Sequence, residues 1–179
     1  SASGNTAIGA NSLINNTSGS NNNALGAYSL YDNTTGSSNI ALGNRTLEKN
    51  TTGSYNVAIG NNTLEKNLTG EDNIAIGDFN INNSQSNSGQ IAIGVGVLTY
   101  AETTTSSYTH NIGIGYYALR GTTSSTLSGI RNVAVGGYSL TENTTGFANI
   151  GIGVNSLGNN SSGERNTSIG DDALLYNTT

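Results

Sequence analysis

The 179-residue sequence contains no cysteine, proline, methionine or tryptophan, and only 9% of its residues are charged. Without cysteine, the chain can have no disulfide scaffold, no thiolate metal site and no cysteine nucleophile. Six Lys and Arg against eleven Asp and Glu give a net charge of −5 without a basic patch, which argues against nucleic acid as a partner. No apolar run approaches the ~18 residues of a membrane span.

What remains is rich in Gly, Asn, Ser and Thr, with evenly spaced aliphatic residues between them. Disordered segments are usually poor in β-branched residues and rich in charge or proline, so this composition favours an ordered chain. The same pattern runs from end to end, and we interpret residues 1–179 as a single repeat domain. The sequence starts at "SASGNTAIG" and stops at "LLYNTT", inside the repeated phrase, so we expect an excerpt of a longer fibre.

One glycine marks each copy of the repeat, and we number the positions of a copy from it. The ten anchor glycines are Gly9, Gly26, Gly43, Gly60, Gly77, Gly94, Gly115, Gly136, Gly153 and Gly170. They are 17 residues apart, except for two successive steps of 21. Position −1 is always aliphatic, position −2 is Ala, Gly or Ser, and position +4 is Leu, or Ile once. Such self-similarity indicates a repeat architecture.

The phrase "N-[IV]-A-[IL]-G" predicts a short β-strand, in which the two aliphatic side chains share one face and the Ala takes the other. Seventeen residues are too few for a βαβ unit, which needs about thirty. We therefore predict an all-β parallel β-solenoid (β-roll) of about ten coils of 17–21 residues. Rungs spaced at ~4.8 Å would give a rod roughly 45–50 Å long.

The predicted core is thin. We expect the two strand aliphatics and the Leu to form it. Burial of three side chains gives little free energy compared with the entropic cost of ordering a whole coil. The column of small residues would then offer a face on which another backbone can approach closely. This interpretation predicts side-by-side association of several copies, three-fold by preference, so that the partner of the chain is first of all itself.

Two asparagine columns accompany the strand. We predict a structural ladder of stacked amides at position −4, where Gln90 is the exception. Its members are Asn5, Asn22, Asn39, Asn56, Asn73, Asn111, Asn132, Asn149 and Asn166. Position +7 reads N-x-[ST], the signature of a glycosylation acceptor, although "NTTG" turns would produce it without any glycan. These candidates are Asn16, Asn33, Asn50, Asn67, Asn143, Asn160 and Asn177.

The strings "NVAIGNNTL", "NIAIGDF", "NTAIGANSL" and "NVAVGGYSL" resemble the head repeats of YadA-type trimeric autotransporter adhesins. The longer form "TGSxNxAIGxxxLxxN" is similar to repeats of phage tail-fibre and bacterial surface-fibre proteins. The resemblance covers all ten copies. It implies a trimeric, left-handed β-roll with an adhesive role, located outside the cell, on a cell surface or on a virion fibre. The period of 17 exceeds that of the autotransporter repeat, which implies a longer loop side.

No residue set predicts catalysis. The lone histidine, His110, lies in a polar loop, and the carboxylate pairs Glu71-Asp72 and Asp171-Asp172 are adjacent residues that point apart on a strand. The G-x-G triplets lack the third glycine and the helix of a nucleotide-binding loop. We predict that the protein is not an enzyme and has neither a metal nor a cofactor.

The two 21-residue steps place insertions at 99–110 and 120–131, in adjacent coils. They should protrude side by side, and exposed aromatic side chains near them suit contact with a host glycan or surface protein. The candidates are Tyr100, Tyr108, His110, Tyr116 and Tyr117. Insertions are also tolerated in loops without any function.

The leading hypothesis is a structural and adhesive extracellular fibre segment. One alternative is an ice- or surface-binding solenoid that uses the Ser/Thr column at +9. That column comprises Ser18, Thr35, Thr52, Thr69, Thr145, Ser162 and Thr179. Another alternative is a subunit of a self-assembling extracellular filament, because open strand edges favour end-to-end association.

Overall fold

The computed structural model describes residues 1–101, 108–122 and 128–179. In these ranges the chain forms one ten-stranded sheet in the order β1 to β10. Each strand has three residues, and the strands are Thr6–Ile8, Asn23–Leu25, Ile40–Leu42, Val57–Ile59, Ile74–Ile76, Ile91–Ile93, Ile112–Ile114, Val133–Val135, Ile150–Ile152 and Thr167–Ile169. The described ranges hold no helix that is long and apolar enough to cross a bilayer.

Every strand pairs in parallel with the strand one repeat away, without a shift in register. Val57, Ala58 and Ile59 lie opposite Ile74, Ala75 and Ile76, for example. The same register continues across the two longer steps. The predicted all-β parallel β-solenoid is thereby confirmed, with each repeat forming one coil.

Backbone hydrogen bonds join neighbouring coils well beyond the three-residue strands. The Leu30 amide donates to the Thr46 carbonyl at 3.0 Å, and the Thr34 amide donates to the Thr51 carbonyl at 2.9 Å. At the end of the strand the Gly26 amide donates to the Ile8 carbonyl at 2.8 Å. Stacked rungs, rather than packed helices or sheets, therefore satisfy most of the backbone.

The strand faces are the reverse of the predicted ones. The central small residue points into the coil and is buried in nine of the ten strands, and only Ala7 of the first strand is exposed. The aliphatic residues on either side point outward, and none of them is buried, with Ile74 and Ile76 at 38% and 37% exposure. The alternation was predicted correctly, but the expectation that the Ala column forms the external face was wrong.

The physical reason is the narrowness of the coil. Leu at position +4 enters the interior from the opposite side and is fully buried, as at Leu47, Leu64 and Leu140. Only a small side chain fits against it from the strand. Where glycine replaces the Ala, at Gly113, Val97 fills the space, because an added Cβ would collide with Val97 Cγ1.

The turns use positive φ angles at four places in a coil, the anchor glycine and positions −5, +2 and +4. Non-glycine residues occupy most of these places, including the buried Leu47 at φ 53° and the β-branched Ile81 at φ 48°. Such conformations are unfavourable for residues that carry a Cβ, and most of all for β-branched ones. The coil is therefore held in shape by its neighbours and not by local preference.

The inward position of the Ala column can be tested by enlarging one member. We expect Ala75→Leu to lower the free energy of unfolding by about 1–3 kcal/mol, because the narrow interior has no space for three more carbons. Ile76→Leu, one residue away on the outer face, is the control and should change it little. Urea unfolding followed by circular dichroism measures both. Equal stability of the two variants would contradict the burial of Ala75.

Candidate functional site

The asparagines at −4 lie inside the coil and link consecutive rungs. Oδ1 of Asn22 accepts the backbone N–H of Asn39 at 3.0 Å, and Oδ1 of Asn39 accepts that of Asn56 at 3.0 Å. Most of their Nδ2 groups donate to the carbonyl of a second glycine of the repeat, as Asn39 does to Gly53 at 2.8 Å, whereas Asn73 donates to the Asn87 carbonyl at 3.0 Å. The side chains thus bond mainly to backbone, and amide-to-amide bonds are secondary.

The asparagines at +7 form the more continuous amide ladder. Nδ2 of Asn50 donates to Oδ1 of Asn33 at 2.8 Å, and Nδ2 of Asn67 donates to Oδ1 of Asn50 at 2.8 Å. Asn50 Nδ2 also donates to the Gly53 carbonyl at 2.9 Å, so Asn39 and Asn50 converge on one acceptor. From the sequence, this column was identified as a glycosylation signature, and a ladder was not predicted there.

The ladder geometry opposes glycosylation of the folded chain at most of these candidates. Asn33, Asn50, Asn67, Asn143 and Asn160 are fully buried. An N-linked sugar would replace an amide hydrogen that is bonded inside the coil, where there is no space for it. Of the seven candidates, only Asn16 and Asn177, on the two outermost coils, are partly exposed.

Both ladders are interrupted in the same region, next to the two insertions. Gln90 replaces the −4 asparagine, and both polar atoms of its buried amide lack a partner among the described residues. Ser84 replaces the +7 asparagine, which leaves Oδ1 of Asn67 without a donor. Since an unpaired buried polar group costs roughly 1–3 kcal/mol, the two replacements weaken the interior of these coils.

Tyr108 and His110 lie together on the first insertion. Their rings are stacked with centroids 5.8 Å apart, and Tyr108 Oη donates to Asp72 Oδ2 at 2.8 Å. That hydrogen bond raises the pKa of Tyr108, because only the protonated phenol can donate it. The pair forms an exposed patch beside the Glu71-Asp72 carboxylates.

A separate cleft opens where the +2 column lacks a side chain. Phe79 and Tyr117 occupy this column on the coils either side of Gly96, which has φ 66°. The Tyr117 ring leans over Gly96, where an added Cβ would collide with it. The resulting cleft has a volume of about 310 Å³ and includes Asn82, Asn83, Thr99, Tyr100 and Arg120 in its lining.

Aromatic and cationic groups meet at one end of this cleft. The Arg120 guanidinium lies 4.9 Å from the Tyr117 ring centroid. Tyr116 packs on Tyr117 at 4.0 Å between centroids, and Tyr138 packs edge-on against both rings. A hydrogen bond from Tyr116 to Tyr117 raises the pKa of Tyr116. The site is therefore a polar cleft with an exposed aromatic wall.

The structure divides the five predicted contact residues between two places. Tyr100 and Tyr117 line the cleft, Tyr116 supports Tyr117, and Tyr108 and His110 form the separate patch beside Asp72. Residues 102–107 and 123–127 of the two insertions lie outside the described residues, so the predicted protrusion stays a prediction. Sequence reasoning missed Phe79, Val95, Gly96 and Arg120, although Gly96 was visible as the one glycine in the +2 column.

In the described part of the chain, no three His, Asp or Glu side chains are grouped so that they could hold a metal ion. The carboxylate pairs Glu71-Asp72 and Asp171-Asp172 are exposed.

The fold and these ladders define the class of the protein, which is a parallel β-solenoid built from repeats of about 17 residues. Comparison with known protein families, curated proteins and solved structures finds no match for this chain.

Most +7 amides bond both to the amide of a neighbouring rung and to a glycine carbonyl, and the importance of these two bonds can be tested at Asn50. Asn50→Asp keeps the shape but removes both hydrogens, and it places a carboxylate against the Asn33 and Gly53 oxygens. We expect the free energy of unfolding at neutral pH to fall by about 1–3 kcal/mol. The buried carboxyl will have a raised pKa, so the variant should regain stability as the pH falls towards the ordinary Asp value.

Asn44→Asp is the matched control for this measurement, because Asn44 is exposed. Its stability should remain close to that of the original chain across the same pH range. A loss of similar size in both variants would show that added charge, and not the lost ladder bonds, is responsible.

Proposed function

We propose that this chain is a structural and adhesive segment of an extracellular fibre, in which several copies associate through their strand faces. The observation that carries the proposal is the outward aliphatic face. Seventeen of the twenty residues that flank the strand centres are Ile, Val or Leu. They form one continuous apolar strip along all ten rungs.

The apolar area of this strip is large enough to favour its being covered by another molecule. A fully exposed aliphatic side chain presents roughly 60–120 Å² of apolar area, from its burial energy and about 25 cal/mol per Å². Ten of the seventeen aliphatic residues are 36–70% exposed and the other seven are less exposed, so at about one third exposure on average the strip presents on the order of 350–700 Å². A patch of that size reaches or exceeds the largest patch of an ordinary monomer and approaches one side of a standard interface.

The strip itself favours further copies of the same chain as its occupant. Its aliphatic ridges repeat at the rung spacing of ~4.8 Å, and only a stack with the same spacing can interlock with them along the whole length. The strip carries no charge that would select a different partner. The resemblance to head repeats of trimeric adhesins supports three-fold association, with the apolar strips facing a common axis.

A stiff, self-associating rod suits attachment better than catalysis. Rung-to-rung hydrogen bonds make the rod rigid, and the cleft between Phe79 and Tyr117 lies beyond the anchor-glycine turn, away from the strand centres. Each copy in an assembly would present one such cleft, and several weak contacts to one surface combine into firm attachment. Location outside the cell, on a cell surface or on a virion, follows as part of the same proposal.

The experiment for this proposal is the molar mass of the purified chain, measured by light scattering over a dilution series. We expect three times 18.3 kDa, retained on dilution. In the variant with Ile76→Lys and Ile93→Lys, two charges on adjacent rungs of the strip should reduce the mass to that of a monomer.

Tyr55→Lys is the control, because Tyr55 is 62% exposed and lies outside the strands. It should leave the mass unchanged. A stable monomer of the original chain would refute association through the strip, and a mass that rises continuously with concentration would favour the self-assembling filament instead.

One structural observation favours the ice-binding alternative. All seven members of the +9 Ser/Thr column named above are exposed, so hydroxyl groups repeat at the rung spacing on the first four coils and again on the last three. The neighbouring +8 hydroxyls instead bond to the next rung, as Thr51 Oγ1 does to the Leu68 carbonyl at 2.8 Å. Thermal hysteresis of the monomer, abolished by Thr52→Lys, would support this alternative over the fibre.

A further inference from the structure

The cleft around Gly96 brings together an aromatic wall, amide groups with unused hydrogen-bonding atoms and an arginine that has only one loose ion pair among the described residues. Phe79 is 51% exposed and Val95 42% exposed, so the cleft offers apolar surface to a ligand. Its volume of about 310 Å³ is at the small end of the range for ligand sites, which suits a single ring and not a large molecule.

The polar groups of the cleft retain hydrogen-bonding capacity. Asn82 uses Nδ2 on the Asn62 carbonyl and on Glu65 Oε2, which leaves its Oδ1 as an acceptor. Asn83 uses Oδ1 to accept from Lys66 Nζ, which leaves its Nδ2 as a donor. One acceptor and one donor beside an aromatic face match a sugar ring, whose hydroxyls both donate and accept and whose C–H face packs on aromatic rings.

The cations give this cleft its chemical preference. The chain has only six Lys and Arg residues; one of them, Arg120, lines this cleft, and another, Lys66, donates to Asn83 of its lining. Arg120 has one loose ion pair, to Glu142 at 3.9 Å, and its Nε lacks a partner among the described residues. Lys66 makes no ion pair within the described ranges, whereas Lys49 lies 3.1 Å from Asp32.

We propose that the cleft between Phe79 and Tyr117 binds a carboxylated sugar unit of the uronic acid class. The sugar ring would lie on the Tyr117 and Phe79 side chains. Its hydroxyls would bond to Asn82 and Asn83, and its carboxylate would lie at the Arg120 guanidinium, whose planar set of donors suits a carboxylate. This inference names a ligand class for the attachment proposed above and rests on that function.

Gly96 is a positioning residue in this proposal, since it keeps the cleft open and allows the Tyr117 ring to lean across the coil. The other coils carry a side chain at this column, and Asn11, Asn62 and Asn155 occupy it with positive φ. Gly96→Asn therefore installs a residue that the fold already accepts at this column, while it fills the cleft and displaces the Tyr117 ring.

The test compares methyl β-D-glucuronide with methyl β-D-glucoside, which differ only in the carboxylate, by ligand-observed NMR titration. We expect the original chain to bind the glucuronide more tightly than the glucoside. The affinity for the glucuronide should fall about tenfold in Arg120→Gln, and binding should no longer be measurable in Gly96→Asn. Arg45→Gln is the control, because Arg45 lies 5.8 Å over the Tyr28 ring, outside the cleft, and its loss should have no effect.

Equal binding of the two sugars with no effect of Arg120→Gln would overturn the inference, and so would the absence of binding of either sugar. Weakening by Arg45→Gln equal to that by Arg120→Gln would also overturn it, since this would indicate general charge attraction. Light scattering on the same samples separates the two proposals. A trimer without sugar binding refutes only the ligand class, and sugar binding by a monomer refutes only the fibre assembly.

Discussion

Two buried asparagine amides converge on one glycine carbonyl in most coils, and the rest of the structure depends on this junction. At Gly53 the donors are Asn39 and Asn50, at 2.8 and 2.9 Å. The coil is so thin that its interior polar groups cannot reach water, and they must find partners on the next rung. A rung that differs at these positions leaves its neighbour unpaired. Repetition of the sequence is therefore a structural requirement, and single coils have no independent stability.

The sequence predicted the solenoid because period, strand and turn signals all recur at the same spacing. It did not predict which strand face is internal. Alternation predicts that Ala58 and Ile59 point in opposite directions. Which of the two points inward depends on the width of the coil, and that width is set by the Leu that enters the interior from the other side. The +7 asparagines were also recognised as a column in the sequence. A glycosylation signature and a buried ladder have the same sequence pattern there, and only the burial of the side chains distinguishes them.

The cleft was partly predictable as well. Tyr100 and Tyr117 followed from their position near the insertions, and the absence of a side chain at Gly96 can be read from the column alone. Arg120 could not be found in this way, because its column, position +5, carries a different kind of residue in most coils and shows no pattern. The same coils hold Gln90, which interrupts the ladder. Insertions and the cleft thus occur where the interior constrains the sequence least, as expected for binding surfaces on repeat proteins.

The inward Ala column and the outward aliphatic strip are two results of one constraint. A strand centre that admits only Ala, Gly or Ser leaves no internal place on the strand for Ile or Val, although β-branched residues favour the extended conformation of a strand. These side chains must therefore point outward, and ten stacked rungs align them into a strip that water disfavours. In the assembly proposed above, association of the rods would remove that strip from water, so the feature that makes one coil too thin would also drive several rods together.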